Sequence, residues 1–324
     1  MSANLYNPMN IFSTMILVVG VLVVLGTDSK VGAWLGMEIN VFGFLGVLSV
    51  RNSVSISVGL KYFIVQAVGS GLFLVGVLCC YSSGLVYNQL VVSIGSLVLG
   101  FGLFCKAGVF PFHGWVPSVI SSGDWLSGWF VMGVQKLAPL IMLFVWVSDQ
   151  LLLLGLMGLS VVGSLGGLNQ HSVRGILAYS SLVHGSWMLA SLCCSESLFI
   201  LYFFGYFLQL SVLVTICYKL DNNSMKSNVL CPLGGIMALS LAGLPPMGGF
   251  LLKLAVFLSI GNISLLVFPI AGSVVSLVFY LRLMSGFVLG YSWVNSKVLS
   301  NLFRVFILFN GICYAGVGMV FGLL

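Results

Sequence analysis

Charge is what this sequence has least of: 12 basic and 6 acidic side chains in 324 residues, of which 60% are hydrophobic. A soluble domain carries about a quarter charged residues, so a water-facing surface is not available to this chain. Its mean hydropathy of +1.18 places it in a bilayer. The basic residues stand singly, without the cluster that nucleic-acid binding requires, so no nucleic-acid partner is expected. The eight cysteines lack Cys-x-x-Cys spacing. Pairs such as Cys79-Cys80 and Cys193-Cys194 lie in apolar runs and read as small buried hydrophobes, which leaves no metal site to expect. Flavin, iron–sulfur and nucleotide motifs are missing too, so redox chemistry within this chain is not expected. No basic or Arg-rich presequence precedes the first apolar run.

What remains is a series of apolar runs, each near the roughly 20 residues that span a bilayer as a helix. They lie near 10–26, 31–49, 56–81, 89–120 with an internal break, 125–147, 151–168, 172–193, 196–218, 233–259, 263–290 and 301–323. This predicts a single all-α polytopic domain over 1–324, a compact bundle of eleven transmembrane helices. If the spans alternate, Arg51, Arg174, Lys219, Lys226, Lys297 and Arg304 fall on the N-terminal side and Lys30 alone on the other. That bias puts the N-terminus in the matrix or cytoplasm and the C-terminus opposite.

A few charges stay inside the runs. The stretch Phe101 to Ser121, FGLFCKAGVFPFHGWVPSVIS, carries Lys106, breaks at Pro111, offers His113 and meets Pro117. Glu38 lies in the second run, Lys61 early in the third, Lys136 in the fifth, and Lys253 seven residues after the Leu244-Pro245-Pro246 interruption of the ninth. Each such charge costs about 2.5–3.5 kcal/mol to insert, so the set requires partners, water or both. Buried amines beside one carboxylate suit proton transfer, because burial favours the neutral amine and a nearby carboxylate favours the charged one. Other readings stay open. Lys61 is placed to snorkel, and Lys136 suits a structural ion pair. His113 suits loosened backbone carbonyls and His184, one turn after Ser180, suits packing, as well as each suits a relay. His171 reads as a loop residue and Arg282 as reaching the headgroups.

Two interrupted runs five spans apart, one with Lys106 and Pro111 and one with Pro245, Pro246 and Lys253, point to inverted repeats. The expected repeats are about 10–147 and 151–290, with 301–323 as an added helix. The match is imperfect, because Lys106 precedes its break and Lys253 follows its own. No residue-level repeat stands out.

Six segments together resemble one family: Glu38-Ile39-Asn40; SVGLKYFIVQAVGSGLFL around Lys61; KAGVFPFHGWVP from Lys106; QKLAPL around Lys136; GGLNQHSVRGILAYSSLVHGSW from Gly166; and LSLAGLPPMGGFLLK ending at Lys253. They are similar to subunit 2 of NADH dehydrogenase, a mitochondrially encoded membrane-arm subunit of respiratory complex I. The resemblance implies an antiporter-like bundle in the mitochondrial inner membrane that moves protons while NADH, FMN, iron–sulfur clusters and ubiquinone work elsewhere in the complex. It also implies antiporter-like subunit 4, small subunits on the other side and membrane lipids as partners. Its proton-pathway residues map onto Glu38, Lys106, Lys136 and Lys253: Glu38 pairs with Lys106, Lys136 bridges, and Lys253 leads to the exit side or a neighbour. Lys61 matches a family position of open role.

Three positions depart from the family pattern: Ser118 where an acid is common, Gly175 where a second basic residue is frequent, and Leu252 where a proline is frequent. A sister antiporter-like subunit, number 4 or 5, shares the two-broken-helix plan but differs in motif wording. A free-standing cation/proton antiporter and a purely structural membrane scaffold are the other readings.

Overall fold

The computed structural model describes residues 8–49, 54–82, 89–222, 230–245, 247–261, 263–289 and 311. The span expected at 301–323, Pro246 and the positions of Arg51, Lys226, Lys297 and Arg304 lie outside the described residues. The described secondary structure is helical throughout: α1 (Pro8–Leu25), α2 (Lys30–Ser49), α3 (Val54–Ser82), α4 (Gln89–Ala107), α5 (Trp115–Ser122), α6 (Trp125–Met132), α7 (Val134–Trp146), α8 (Asp149–Leu168), α9 (Val173–Leu192), α10 (Glu196–Asn222), α11 (Leu230–Ala242), α12 (Gly248–Ser259) and α13 (Ile263–Leu289). In lipid every backbone polar group must find its partner within the protein, and the helix is the way an apolar segment does so.

Eight described segments are long and apolar enough to cross a membrane. Their outer faces carry residues such as Phe12, Ile56, Leu90 and Val274, all more than 60% exposed, as lipid-facing or partner-facing surfaces do. Helix α9 is not among the eight. Nearly all of it is buried, from Gly175 to Leu192 with only Tyr179 partly exposed, so it is wrapped by protein and tolerates Ser180, Ser181, His184 and Ser186.

The chain divides into two compact units, Met1–Gly158 and Leu159–Leu324. In the first, α1 packs on α2 and α3 on α4 as close antiparallel pairs. A Cβ on Gly43 would stand 2.5 Å from the backbone nitrogen of Leu17, and one on Gly102 2.6 Å from that of Phe73. Because lipid tails are as apolar as the side chains, helix association rests on such close backbone approach. In the second unit α9 packs against α10 and α13, and α11 against α10 and α13.

The fourth and ninth expected spans are broken, as α4–α5 and α11–α12. The fifth is broken as well, which the sequence reading did not foresee. Gly133 (φ −115°, ψ −88°) separates α6 from α7. Its N–H still donates to Trp129 O at 3.1 Å and its carbonyl accepts from Lys136 N at 2.9 Å, so the chain turns without losing those two bonds. Six residues on, Pro139 sits inside α7 and has no N–H for the Gln135 carbonyl. Arg282, exposed late in α13, also donates from Nη1 to Leu168 O at 3.0 Å, capping the C-terminus of α8, where a cation is favoured.

Candidate functional site

The breaks in α4–α5 and α11–α12 are made by the same device. Helix α4 ends at Ala107 and α11 at Ala242, each followed by a glycine with a left-handed backbone, Gly108 at φ +69° and Gly243 at φ +81°. In both, the next residue's N–H reaches back five positions: Val109 N to Phe104 O at 2.9 Å and Leu244 N to Leu239 O at 3.4 Å. This is a Schellman stop, which needs glycine because other residues are strained there. Ala-Gly-Val-Phe-Pro at 107–111 and Ala-Gly-Leu-Pro-Pro at 242–246 are therefore a short local repeat that the sequence reading overlooked.

Each break also frees carbonyls that must be satisfied. In the first unit Trp115 Nε1, from the start of α5, donates to Cys105 O at 3.1 Å, and Gln66 Nε2 on α3 donates to Lys106 O at 3.3 Å. With those oxygens occupied, the Lys106 ammonium turns to Glu38 on α2, Nζ to Oε1 at 2.7 Å. The lysine side chain is 1% exposed and the glutamate 22%. Beside this pair runs a second buried chain: Tyr62 OH donates to Gln135 Oε1 at 3.0 Å, and Gln135 Nε2 donates to Asn40 Oδ1 at 2.8 Å. Asn40, Gln66, Lys106 and Gln135 help line a cavity whose room for the centre of a water-sized sphere is ≈ 10 Å³, about what one water needs. Met37, Val41, Ala138 and Pro139 complete its lining, so most of the surface it exposes is apolar.

Lys136 is buried on the first turn of α7, three residues after the Gly133 break. In the second unit Lys253 lies on α12 and its Nζ donates to Ala242 O at 2.7 Å, across the break, with the ring of Trp187 centred 5.9 Å away. Among the described residues Lys253 has no carboxylate partner. His184 is buried on α9 within reach of three tyrosines: Tyr202 OH at 2.9 Å from Nδ1, Tyr280 OH at 3.3 Å from Nε2, and the Tyr206 ring 4.6 Å from its own.

The remaining candidates fall elsewhere. Lys61 is exposed, on a face of α3 shared with Leu60 and Ile64, whereas Tyr62 and Gln66 on the same helix point inward. His113 is half-buried in the break, stacked on Phe110, with Nδ1 3.1 Å from Pro111 O. His171 is exposed. The family departures have local explanations. Ser118 Oγ donates to Trp115 O at 2.8 Å within its own helix. A Cβ on Gly175 would stand 2.5 Å from Gln170 Oε1 and 2.8 Å from Ser172 Oγ, the side chain that caps α9. Leu252 fills the hollow over Gly205 of α10.

The polar partners Tyr62, Gln66, Asn40 and Gln135 carry no charge, so they lack the cost in lipid that marks Glu38 and the lysines. The available signal was two polar groups in an apolar run at i and i+4, Tyr62 and Gln66, which share one helix face.

Comparison with known proteins decides the family. The profile described as NADH:quinone oxidoreductase/Mrp antiporter, transmembrane, matches residues 27–279. The NADH-ubiquinone oxidoreductase chain 2 of Mytilus edulis is 38% identical over 273 residues, 84% of each chain. That of Anopheles gambiae is 33% identical over 335 aligned positions, 96% of each. This chain belongs to the NADH-ubiquinone oxidoreductase chain 2 family. The antiporter-like fold of that family also appears in a chain of respiratory complex I from Thermus thermophilus, with TM-score 0.79 and 21% identity over 95% of this chain and 78% of that one. A chain of the Mrp complex from a Dietzia species shares it at TM-score 0.74 and 17% identity, covering 85% and 59% respectively. The chain 2 relatives thus match this multi-pass membrane protein over nearly its whole length, and the sister-subunit reading is not favoured.

Proposed function

We propose that this chain is a proton-translocating membrane subunit of a respiratory NADH:ubiquinone oxidoreductase, in the mitochondrial inner membrane with its N-terminus on the matrix side. Electrons pass from NADH through FMN and iron–sulfur clusters to ubiquinone in other subunits. This chain binds none of these and moves protons through Glu38, Lys106, Lys136 and Lys253. Its neighbours are other membrane-arm subunits, with antiporter-like subunit 4 on one side and small subunits on the other, and its two halves are repeats of one plan.

The observation that carries this reading is the Lys106–Glu38 pair, 2.7 Å apart beside a helix break, with the lysine buried and the glutamate half-buried. Structural ion pairs in membranes do occur, but a break that frees carbonyls costs stability and gives nothing to a scaffold. Here it sets an ammonium, one carboxylate and room for water side by side. Protonating Glu38 removes the charge that holds the ammonium, so a signal reaching the carboxylate releases a proton from the amine. Lys136 and Lys253 each sit at a further break, where loosened backbone is tolerated in lipid only when buried in protein or lining a water-filled space.

The test is Lys136→Met in an assembled complex reconstituted into vesicles. Normal assembly with fewer protons moved per electron pair is expected. Normal assembly with an unchanged ratio overturns the proposal in favour of a scaffold, and ion-coupled exchange by the purified chain alone overturns it in favour of a free-standing antiporter.

A further inference from the structure

The turn that carries Lys136 is poorly held by its own helix. It lies between two interruptions of the chain: the break at Gly133 precedes it, and Pro139, inside α7, has no N–H for the Gln135 carbonyl. A reacting group in such a place needs its position fixed from outside, because a misplacement of about 1 Å costs up to a hundredfold in rate.

Gln135 supplies the ties. Next to Lys136 and itself buried, its side chain accepts from Tyr62 OH on α3 at 3.0 Å and donates to Asn40 Oδ1 on α2 at 2.8 Å. Both partners are fixed in turn. The Tyr62 ring meets Phe44 of α2 at 4.7 Å and Trp115 of α5 at 5.6 Å, edge to face in both cases. Helix α1 packs against the Asn40 backbone so closely that a Cβ on Gly20 would stand 2.5 Å from its nitrogen.

The same two helices hold Lys106. Glu38, two residues before Asn40 on α2, pairs with its ammonium, and Gln66 donates to its carbonyl from the α3 face it shares with Tyr62. Helices α2 and α3 thus each send one side chain to Lys106 and one to Gln135. This closes a frame of α2, α3, α4 and α7 around the cavity that Asn40, Gln66, Lys106 and Gln135 help line. Its bonds are of two kinds. The bond between Glu38 and Lys106 changes whenever either group gains or loses a proton, whereas the hydroxyl and the carboxamides stay neutral throughout. The neutral bonds therefore keep α2, α3 and α7 in register while the charged one opens and closes.

We propose that Gln135 is a positioning residue: through Tyr62 and Asn40 it fixes the first turn of α7, and with it Lys136, relative to the Lys106–Glu38 pair as that pair changes charge. The inference rests on the proton-translocating reading of Lys106 and Lys136. It adds to it a residue that carries no proton and whose bonds stay made through the cycle.

The experiment uses the assembled complex in vesicles and turns on the length of the bridge from Gln135 to Asn40. Gln135→Asn shortens it by one methylene, Asn40→Gln lengthens it by one, and the double variant restores it with the methylene on the other side. Each single variant is expected to assemble and to slow coupled turnover per complex by roughly two- to tenfold, the range of one lost hydrogen bond, and the double variant to recover to within about twofold of wild type. Tyr62→Phe keeps the ring between Phe44 and Trp115 and removes only its hydroxyl, so its turnover is expected to fall between wild type and Gln135→Asn. If Gln135→Asn does not assemble, the turnover of Tyr62→Phe decides in its place. Wild-type turnover in these variants, or a double variant no faster than the slower single one, overturns the inference. So does less assembled complex with turnover per complex unchanged, which leaves Gln135 a purely structural role. Lys136→Met run in parallel separates the two ideas: if it lowers proton transfer while the Gln135 and Tyr62 variants do not, only the positioning role fails, and if it too has no effect, the role of Lys136 fails.

Discussion

Two breaks built on the same Ala-Gly stop treat their lysines in opposite ways. At the first, an indole and a carboxamide from neighbouring helices occupy the freed carbonyls of Cys105 and Lys106, and the ammonium is left to pair with Glu38. At the second, the ammonium of Lys253 itself occupies a freed carbonyl, that of Ala242. The same local geometry thus yields one amine held by a charge and another held by a dipole. A charge is switched by one proton on Glu38, whereas a carbonyl is always an acceptor. Under the proposed function, the first unit holds the switch and the second a resting place for the proton.

The largest expected effect breaks that comparison at its charged member. Glu38→Gln removes the counter-charge of the buried Lys106 amine. Losing one partner of a fully buried pair costs about 3–5 kcal/mol, and the partial exposure of Glu38 together with loss of the amine's proton brings the expected cost to the low end of that range. Lys253→Met, by contrast, leaves one carbonyl unmet, at about 1–3 kcal/mol. Measured as assembled complex per unit membrane, Glu38→Gln is expected to fall below Lys253→Met. Equal yields would mean that the ion pair has no special weight and that the two sites are energetically alike.

A smaller effect tests the shared stop. Gly108→Ala and Gly243→Ala each force a side chain into a left-handed backbone, at about 1–2 kcal/mol. Their surroundings differ, however. The new methyl at 108 would overlap Val116 Cγ2, part of a buried side chain, whereas at 243 it would stand 2.9 Å from Lys253 Nζ, the movable end of a long chain. Gly108→Ala is expected to lower thermal stability of the complex more. Gly243→Ala is expected to assemble and to displace the ammonium from Ala242 O, seen as lowered coupled turnover. If both behave alike in both measurements, the lysine at the second break is not seated on that carbonyl.

What could be read from the sequence follows the range over which each signal acts. The solvent is a property of every residue, so the spans were legible. Runs expected at 31–49 and 263–290 are the helices Lys30–Ser49 and Ile263–Leu289, and the prolines near 111 and 245 marked two breaks. The Gly133 break was not legible because its marker is one glycine among 40, and what makes it turn is packing rather than composition. That Arg282 caps α8 was not legible because the open carbonyl it meets is 114 residues away in sequence. The charged groups Glu38, Lys106, Lys136 and Lys253 announced themselves by their cost in lipid. Their neutral partners did not, since Tyr62 and Gln135 are ordinary within an apolar helix until the fold brings them together across 73 residues.

The smallest expected effect sharpens the contrast from the neutral side. Trp115→Phe keeps a ring near Tyr62, whose centroid is 5.6 Å away, and removes only the donor to Cys105 O. Cys105 O then keeps only a long bond from Gly108 N at 3.4 Å, so the loss approaches the about 1–3 kcal/mol of an unmet carbonyl only if nothing replaces the indole. The nearest replacement in kind is the Lys106 ammonium, which would then be drawn toward the helix end as Lys253 is at its own break. A loss at the low end of that range, with Lys106 Nζ farther from Glu38 Oε1 than 2.7 Å in the variant's structure, is therefore the expected outcome. It would show that the indole is what keeps the first lysine free to pair. A full-sized loss with the ion pair unmoved would instead mean that Glu38 alone decides where the ammonium goes, and that the caps at the two breaks do not account for the difference between the lysines.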